Sequence, residues 1–399
     1  MKKAFFCIAF FCIIGLVFYL ILNSSTEQAV SETLGNNSPR LIRYESAGTS
    51  GQITWESEES LNALIEQIKD QGGKLFFSPG TYTIRSGIKI TNANNLELYG
   101  NGATLRFPAE QLPEISITRD VKEGDTIFSV TNSSLLEVGS SYQLYASNKK
   151  GSRLLEFTIA EISGDKITIT KPVRFMAHVK SILAGSLIYE EFNFFRITES
   201  NNIQISDFII DGLGLGEVKG HTIYSGILAE NNYHAVRDTK TVTYHGLHIQ
   251  DCTFQNLQGR AVVVYGTDEV LIEDCLADNI QAEAIELDHF SSGIVRNNKI
   301  SRAGVGIQLD DAFKSTVEHN EISNTKIGIS LVSHFDDTWV DTGNTVSENQ
   351  IGFTKQGIFF DEGVTNNYIL GNVFSRNTDA LVGEFAANIL ADNIFPENA

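Results

Sequence analysis

One asparagine-rich column recurs along the C-terminal half of the chain and limits the possible folds more than any other feature. Aligning the segments around it brings seven positions into register, namely Cys252, Cys275, Asn298, Asn320, Asn349, Asn372 and Asn393. Successive members lie 23, 23, 22, 29, 23 and 21 residues apart, and one longer loop explains the step of 29. A repeat of about 22 residues predicts a solenoid, in which each unit packs against its neighbours.

A second column shows how each unit is built. It starts at a small residue and continues with alternating side chains, as in AVVVY from Ala261, AIELD from Ala284 and GIQLD from Gly306. Because successive strand residues point to opposite faces, the apolar second and fourth residues point inward together. Short strands stacked about 4.8 Å apart, without any 3.6-residue period, predict an all-β fold, a single-stranded parallel β-helix.

The asparagine column itself is best interpreted as structural. Stacked amides can hydrogen-bond to one another and to turn backbone, and asparagine tolerates the left-handed conformation. Cys252 and Cys275 occupy this column one coil apart. We expect two buried thiols there, although the spacing also permits a disulfide.

The N-terminus predicts export. Residues 4–22 carry no charged side chain and follow Lys2 and Lys3, so they can cross about 30 Å of hydrocarbon as a helix. The length of this segment favours a retained anchor, with the body in the periplasm or outside the cell, over a cleaved signal peptide and secretion. We therefore divide the chain into a signal segment (1–23), a polar linker (24–40) and a β-helix domain (41–399).

The charge balance narrows the choice of partners. With 30 Lys and Arg against 49 Asp and Glu, the net charge is −19, which disfavours binding to nucleic acid. Contact with a membrane is expected only through the N-terminal segment. We predict a polysaccharide as the partner, bound along an outward groove of the stacked coils near Tyr265, Asp288 and Asp310.

The start of the coil stack carries a predicted helix that would plug the open end of the barrel. It begins at Ser57 or Ser60 as N-cap and stops at Gly72 and Gly73. SPGTY follows at 78–82 and LELYGNGATLRF at 96–107. This succession resembles the opening of the pectin-lyase-like superfamily, over roughly 50–107 and 195–399. The resemblance implies a right-handed parallel β-helix with an N-terminal cap helix.

Residues 115–185 interrupt the repeat. They contain alternating strands with Gly-Asp turns but lack the coil period. We predict a small inserted antiparallel β unit, which is either a plain structural insertion or a substrate-recognition element.

Acidic side chains collect on the middle coils, at strand positions expected to face outward. Like charges about 5 Å apart disfavour joint ionisation, so at least one carboxyl should have a raised pKa, as a proton-transfer site requires. A phenol lies one coil before the acids, and an imidazole directly follows one of them. The alternative is an exposed acidic surface. The catalytic candidates are Tyr265, Glu286, Asp288, His289, Asp310 and Asp311.

Mannuronan C5-epimerases and related lyases resemble the chain at these coils. That family places Asp-Pro-His on one coil and a further Asp at the end of the next coil's strand, and Asp310 falls on the latter. Asp288 stands at the family's His position, with His289 one residue later. The resemblance implies abstraction of H5 from a uronosyl unit, followed by reprotonation or elimination. Tyr265 or His289 would move the proton.

Polygalacturonase-type hydrolases give a second, partial resemblance. Asp288, Asp310 with Asp311, and His334 have separations similar to that family's motifs. However, Asp310 and Asp311 follow the apolar strand rather than precede it, and the family's Asn-Thr-Asp, Gly-His-Gly and Arg-x-Lys motifs are absent. A neutral glycan and a hydrolytic mechanism with two carboxyl groups therefore form the alternative hypothesis.

A polyuronate is an anion, so an acidic site needs compensating charge to bind it. Basic side chains on these coils could supply it, namely Arg260, Lys299, Arg302 and Lys314. A Ca²⁺ ion held by Asp288, Asp310 and Asp311 is the alternative, and otherwise no cofactor or metal is expected.

The long step in the repeat places a loop beside the acids. It runs from Ser333 to Asn344, and Trp339 within it could stack on a sugar ring or cover a coil edge. The predicted substrate-binding residues are Arg260, Gln308, Lys314, His334 and Trp339.

Three functions follow from these residues. The leading hypothesis is an exported epimerase or lyase acting on a uronic-acid-containing glycan. The alternatives are a glycoside hydrolase and a non-catalytic protein that binds glycans or takes part in envelope assembly.

Overall fold

The computed structural model describes residues 40–107, 115–145, 153–174, 181–190, 192–212, 224–334 and 341–395. The predicted signal segment and nearly all of the linker lie outside these ranges, as does Trp339. Among the described residues, no helix has the length and apolar character needed to cross a bilayer.

The first described elements form the capped end of the molecule. They are β1 (Leu41–Ser46), β2 (Thr49–Thr54), α1 (Glu58–Ile68), β3 (Gly73–Phe77), β4 (Thr81–Thr83), β5 (Ile88–Thr91) and β6 (Asn94–Arg106). The predicted helix is confirmed, with Ser57 as N-cap. The buried carboxylate of Glu58 accepts hydrogen bonds from the backbone N–H groups of Arg85 and Ser86, at 2.7 and 2.8 Å. These bonds fix the start of α1 to the chain just before β5.

The insertion is a separate antiparallel sheet, as predicted. Its strands are β7 (Ile115–Ser116), β8 (Ile127–Ser129), β9 (Ser141–Tyr145), β10 (Arg153–Ser163), β11 (Lys166–Ile169) and β12 (Leu187–Glu190), with a 3₁₀ turn at Ser133–Leu135. They pair in the order β7-β12-β9-β10-β11-β8. Phe128, Leu144 and Ile167 lie in a hydrophobic core of its own.

The remaining described strands complete a right-handed parallel β-helix. They are β13 (Phe192–Thr198), β14 (Asn201–Asp211), β15 (Tyr224–Glu230), β16 (Leu247–Gln250), β17 (Thr253–Leu257), β18 (Arg260–Tyr265), β19 (Val270–Glu273), β20 (Leu276–Asp288), β21 (Gly293–Arg296), β22 (Lys299–Asp310), β23 (Thr316–Glu318), β24 (Glu321–Ser323), β25 (Ile327–Val332), β26 (Thr345–Ser347), β27 (Gln350–Gly352), β28 (Gln356–Phe360), β29 (Tyr368–Leu370), β30 (Val373–Ser375), β31 (Asp379–Gly383) and β32 (Ile389–Ala391). Helix α2 (Tyr233–Thr239) stands between β15 and β16.

The inward column predicted from the small-residue segments is confirmed. Ile285, Ile307 and Ile329 are register partners on β20, β22 and β25, and all three are buried. Leu287 and Leu309 form a second buried row two residues later. Period 2 within each strand, repeated coil after coil, therefore produces one continuous apolar core.

The asparagine column forms a hydrogen-bonded ladder. The Nδ2 of Asn298 donates to the Oδ1 of Asn320 at 3.0 Å, and Asn320 to Asn349 at 2.9 Å. The chain of amides continues through Asn372 to Asn393. A second ladder, which the sequence analysis did not identify, joins residues 344, 367 and 388.

The two cysteines of the column are buried free thiols, and the disulfide alternative is not formed. The backbone N–H of Cys275 donates to the Oδ1 of Asn298 at 3.0 Å, so the ladder extends to this coil through backbone alone.

Candidate functional site

Parallel register brings the predicted acids together. Tyr265 pairs with Asp288, and Asp288 with Asp310, on three successive strands. Two residues earlier, Glu286 pairs with Gln308. Because neighbouring strands lie about 4.8 Å apart, these side chains form one file along the helix axis.

The file is buried, which corrects the expectation of an open outward face. Glu286, Asp288 and Asp310 expose only 0%, 3% and 5% of their surface. Next to the file, Val236 of α2 packs against Phe290 in the turn that follows β20. The alternative of a solvated acidic surface is therefore wrong for these residues.

Arg260 supplies positive charge inside the file. Its guanidinium forms an ion pair with Glu286 and a second with Glu283, in which Nε and Oε2 are 2.9 Å apart. Its Nη1 lies 3.5 Å from the Tyr265 hydroxyl. Burial lowers the pKa of Arg260, but the charges of Glu286, Tyr265 and Glu283 outweigh it and raise the pKa well above its usual value.

The carboxyl groups of the file hold protons more strongly than free acids do. Burial raises the pKa of Glu286 well above its usual value, against the opposing charge of Arg260. Burial and the charge of Asp310 do the same to Asp288. Burial also raises the pKa of Asp310, although its hydrogen bond with His334 opposes this. Gln308 bridges the file, since its Nε2 donates to Glu286 at 2.8 Å and to Asp310 at 3.3 Å.

Two imidazoles border the acids and differ in charge. His289 hydrogen-bonds to Asp288 and meets the Tyr265 ring edge-on, with ring centroids 5.0 Å apart. Burial lowers the pKa of His289. The Nδ1 of His334 lies 2.7 Å from Asp310, and this hydrogen bond raises the pKa of His334 to about 9. At neutral pH the first imidazole is neutral and the second is a cation.

Asp341 is a member of the site that the sequence analysis did not select. It is 1% exposed, and burial together with the charges of Asp311 and Asp310 raises its pKa to about 9. Within the described part of the chain, neither of its carboxyl oxygens has a hydrogen-bond partner of good geometry. The available signal was its position in the long loop, three residues before Asn344 of the second ladder.

Other predicted residues lie elsewhere or outside the described ranges. Lys314 is an exposed turn residue and forms no ion pair with any described residue. Lys299 pairs with Glu321, and Arg302 with Asp278. Of the basic candidates, only Arg260 therefore lies within the file.

Two groups of side chains could hold a cation. Asp310, Asp311 and His334 each place one ligand atom within 4.8 Å of the others, and so do Glu286, Asp288 and Asp310. The oxygen set predicted for Ca²⁺ is divided between these groups, and Ca²⁺ prefers six to eight oxygens. Calcium binding at this file stays a prediction.

The arrangement contains groups that can move protons. Neutral His289 and the Tyr265 hydroxyl can exchange a proton with a bound molecule, and the buried carboxyls can donate hydrogen bonds while protonated. Arg260 and His334 offset the acidic charge from two sides.

Comparisons with known proteins concern the fold. A family model described as a right handed beta helix region matches residues 225–395. A search of curated protein sequences found no match.

Several solved structures share the architecture at low identity. The tailspike protein of E. coli bacteriophage HK620, solved with a hexasaccharide, is 11% identical over 85% of this chain and 61% of its own, with a TM-score of 0.42. Endopolygalacturonase I from Stereum purpureum is 13% identical over 82% of this chain and 91% of its own, with a TM-score of 0.35. The Streptococcus pneumoniae surface protein and adhesin PfbA is 12% identical over 85% and 94%, with a TM-score of 0.36.

This chain thus spans less than two thirds of the HK620 tailspike's length, and identities near 12% concern architecture alone. The observed coils and the family match agree over the C-terminal half of the molecule. The protein is a right-handed parallel β-helix protein.

Proposed function

We propose that the protein modifies uronosyl residues of a polysaccharide by proton transfer at C5, as an epimerase or a lyase. The observation that carries the proposal is the edge contact between Tyr265 and His289 above buried carboxyl groups. The export expected from the N-terminus would place this activity outside the cytoplasm, where such polymers occur.

The two rings suit the proton-transfer step. Burial keeps His289 neutral, so one of its ring nitrogens can accept H5. The Tyr265 hydroxyl, 3.5 Å from Nη1 of Arg260, is the second group that can take or return a proton. In an epimerase, one ring removes H5 and the other delivers a proton to the opposite face. In a lyase, one ring also removes H5, but the C4–O4 bond then breaks, O4 leaves with a proton from the other ring, and a C4–C5 double bond forms.

The buried acids bear on how the site tolerates a negatively charged uronate. An ionised file would repel the substrate, but burial raises the pKa of Asp288 well above its usual value and favours its protonated form, while Asp310 is paired with the His334 imidazole. A protonated carboxyl can donate a hydrogen bond to the substrate carboxylate, which stabilises the negative charge that develops when H5 leaves. His334 adds a positive charge at the same edge.

The distances disfavour inverting hydrolysis. Glu286, Asp288 and Asp310 bring carboxyl oxygens within 4.8 Å of one another. An inverting glycosidase separates its two carboxyl groups by about 6.5–9.5 Å to admit the attacking water. Proton transfer at C5 needs no such gap.

The purified protein is incubated with polymannuronate, polyguluronate and polygalacturonate to test the proposal. A lyase produces an unsaturated sugar that absorbs in the ultraviolet, and an epimerase in D₂O incorporates deuterium at C5. Tyr265→Phe and His289→Gln should each reduce the rate about a hundredfold or more. The matched control is Tyr368→Phe, at an exposed tyrosine on β29, which should retain full activity.

The proposal is wrong if the protein forms new reducing ends without unsaturation, which indicates a hydrolase. It is also wrong if the protein binds these polymers and changes none of them, which indicates a binding protein.

A further inference from the structure

A groove with positive charge follows the coil turns at the opposite end of the strands from the acidic file. It is open, has a volume of about 900 Å³ and spans turns from residue 279 to residue 378. Its basic and aromatic lining consists of Arg302, Lys326, Phe353, Lys355 and Arg376. Five strand steps, or roughly 17 Å, separate Val305 beside the groove from Asp310 in the file.

Coil stacking aligns these side chains along the helix axis. The N–H of Gln356 donates to the carbonyl of Lys326 at 3.0 Å, which places Lys355 one coil beyond Lys326. The N–H of Phe353 donates to the carbonyl of Ser375 at 3.0 Å, which places Arg376 one coil beyond Phe353. The side chains therefore recur at the coil spacing of about 4.8 Å in two parallel rows.

The floor of the groove requires a glycine. A Cβ atom at Gly304 would lie 2.5 Å from the carbonyl oxygen of Gln281 and 2.9 Å from that of Ala282. Any larger residue would push neighbouring coils apart at this turn, so the smooth floor depends on this residue.

Most of the positive charge is available to a ligand. Arg302 is neutralised by Asp278, whose Oδ1 accepts from its Nε at 2.8 Å. Lys326, Lys355 and Arg376 are exposed, and within the described part of the chain none of them forms an ion pair. Three unpaired cations on one short surface are unusual for a protein with a net charge of −19.

An exposed aromatic ring lies among these cations. Phe353 is 53% exposed, and the guanidinium of Arg376 lies 5.2 Å from its ring centroid. This contact holds the guanidinium over the ring and keeps both at the surface. A flat apolar face bordered by cations suits a sugar ring that carries a negative group.

We infer that this groove binds an anionic polysaccharide lying parallel to the helix axis, at a site separate from the acidic file. Lys326, Lys355 and Arg376 pair with carboxylate or sulfate groups of the polymer, and Phe353 packs against a sugar ring. The inference does not rest on the proposed C5 chemistry. Nucleic acid is the competing occupant of a basic groove, and the export expected from the N-terminal segment disfavours it.

Affinity electrophoresis and calorimetry test the site in the full chain. The charged probes are polygalacturonate and dextran sulfate, with methyl-esterified polygalacturonate and dextran as their neutral counterparts. At low salt the protein should bind at least one charged probe more tightly than its neutral counterpart, and 0.5 M NaCl should abolish the difference. The two pairs show whether the groove takes carboxylate or sulfate.

The variant Lys326→Gln/Lys355→Gln should bind about tenfold more weakly, since each exposed charge pair contributes a modest amount. The variant Lys326→Arg/Lys355→Arg keeps both positive charges and should bind as the wild type does. The matched control, Lys122→Gln/Lys166→Gln, removes two exposed lysines from the inserted unit and should bind as the wild type does. Melting temperatures of all variants should agree.

Equal binding of charged and neutral polymers would overturn the inference, and so would wild-type binding by the Lys326→Gln/Lys355→Gln variant. Tighter binding of a single-stranded 20-nucleotide DNA than of either polysaccharide would assign the groove to nucleic acid instead. C5 turnover is measured separately on the same variants and should be unchanged, so the two proposals can fail independently.

Discussion

Two stacks of buried polar side chains run through neighbouring coils, and their chemistry differs. In the asparagine ladder, Asn349 accepts from Asn320 and donates to Asn372, to Val317 and to Ser347. An amide carries both donors and an acceptor, so identical neighbours satisfy one another. Ionised carboxylates only accept hydrogen bonds, so neighbouring acids must take up protons or cations. The same coil geometry therefore stabilises the fold in the asparagine ladder and favours protonated side chains in the acidic file.

The largest expected effect separates turnover from folding in the acidic stack. Asp288→Asn should lower the rate on a uronan about a thousandfold, because a fixed amide cannot change protonation during the reaction. Its unfolding free energy should not fall, since the amide resembles the protonated carboxyl that burial favours. Turnover and urea unfolding are measured together. The control Glu321→Gln, at an exposed acid, should alter neither. Full activity in Asp288→Asn would remove the acid from the mechanism.

In the asparagine ladder, by contrast, a substitution should lower stability. Asn349→Ala should lower the unfolding free energy by about 3 kcal/mol, because it leaves the Asn320 N–H and two buried carbonyls without partners. Gln350→Ala, at the exposed neighbouring position, should cost about 0.5 kcal/mol or less. Denaturant unfolding measures both changes. Equal losses in the two variants would show that the ladder contributes nothing beyond the strand around it.

A third test concerns the pH dependence of stability through Asp341. Its pKa is about 9 in the folded protein, well above the usual value of 3.8. The unfolded chain therefore loses this proton first as pH rises, and wild-type stability falls between about pH 4 and pH 9.

Asp341→Asn should remove this dependence and raise the unfolding free energy by about 2 kcal/mol at pH 5.5, with little difference at pH 4 and a larger one at pH 7. Denaturation at pH 4, 5.5, 7 and 8.5 measures the difference. A difference that does not change with pH would mean that Asp341 ionises normally in the folded protein.

The smallest effect is expected where cysteine replaces asparagine in the ladder. Cys252 and Cys275 are buried free thiols, so adding a reductant should change the unfolding free energy by less than about 0.5 kcal/mol. A hydrogen bond with Cys252 and burial raise the pKa of Cys275, so a thiol reagent should modify it only after unfolding. A reductant-dependent melting temperature would indicate a disulfide.

Local sequence patterns predicted the repeating part of the fold. The spacing from Asn298 to Asn393 and the alternation after Ala284 and Gly306 are properties of each coil, so the ladder, the core and the order of the acidic file could be derived without coordinates. The second ladder also repeats in the sequence, since residues 344, 367 and 388 each precede an asparagine of the first ladder by five residues. It is shorter than the first ladder, because Ser315 stands at this position in the coil before, and the sequence analysis did not align it.

The sequence predicted which residues form the site better than it predicted their burial and their ion pairs. Register alone placed Tyr265, Asp288 and Asp310 together. Their burial, the packing of α2 on the turn after β20 and the ion pair of Arg260 with Glu286 appear only in the structure. These contacts join residues whose spacing follows no period, so sequence patterns could not reveal them.

The sequence by itself determined that this chain forms stacked coils and which side chains share a column, because strand alternation and a constant period act within each coil. Only the tertiary structure decided that the acids are buried, that Asp341 joins them and that unpaired cations collect in a separate groove. A pKa depends on burial and on every nearby charge, and the elements that cover a side chain are distant in sequence.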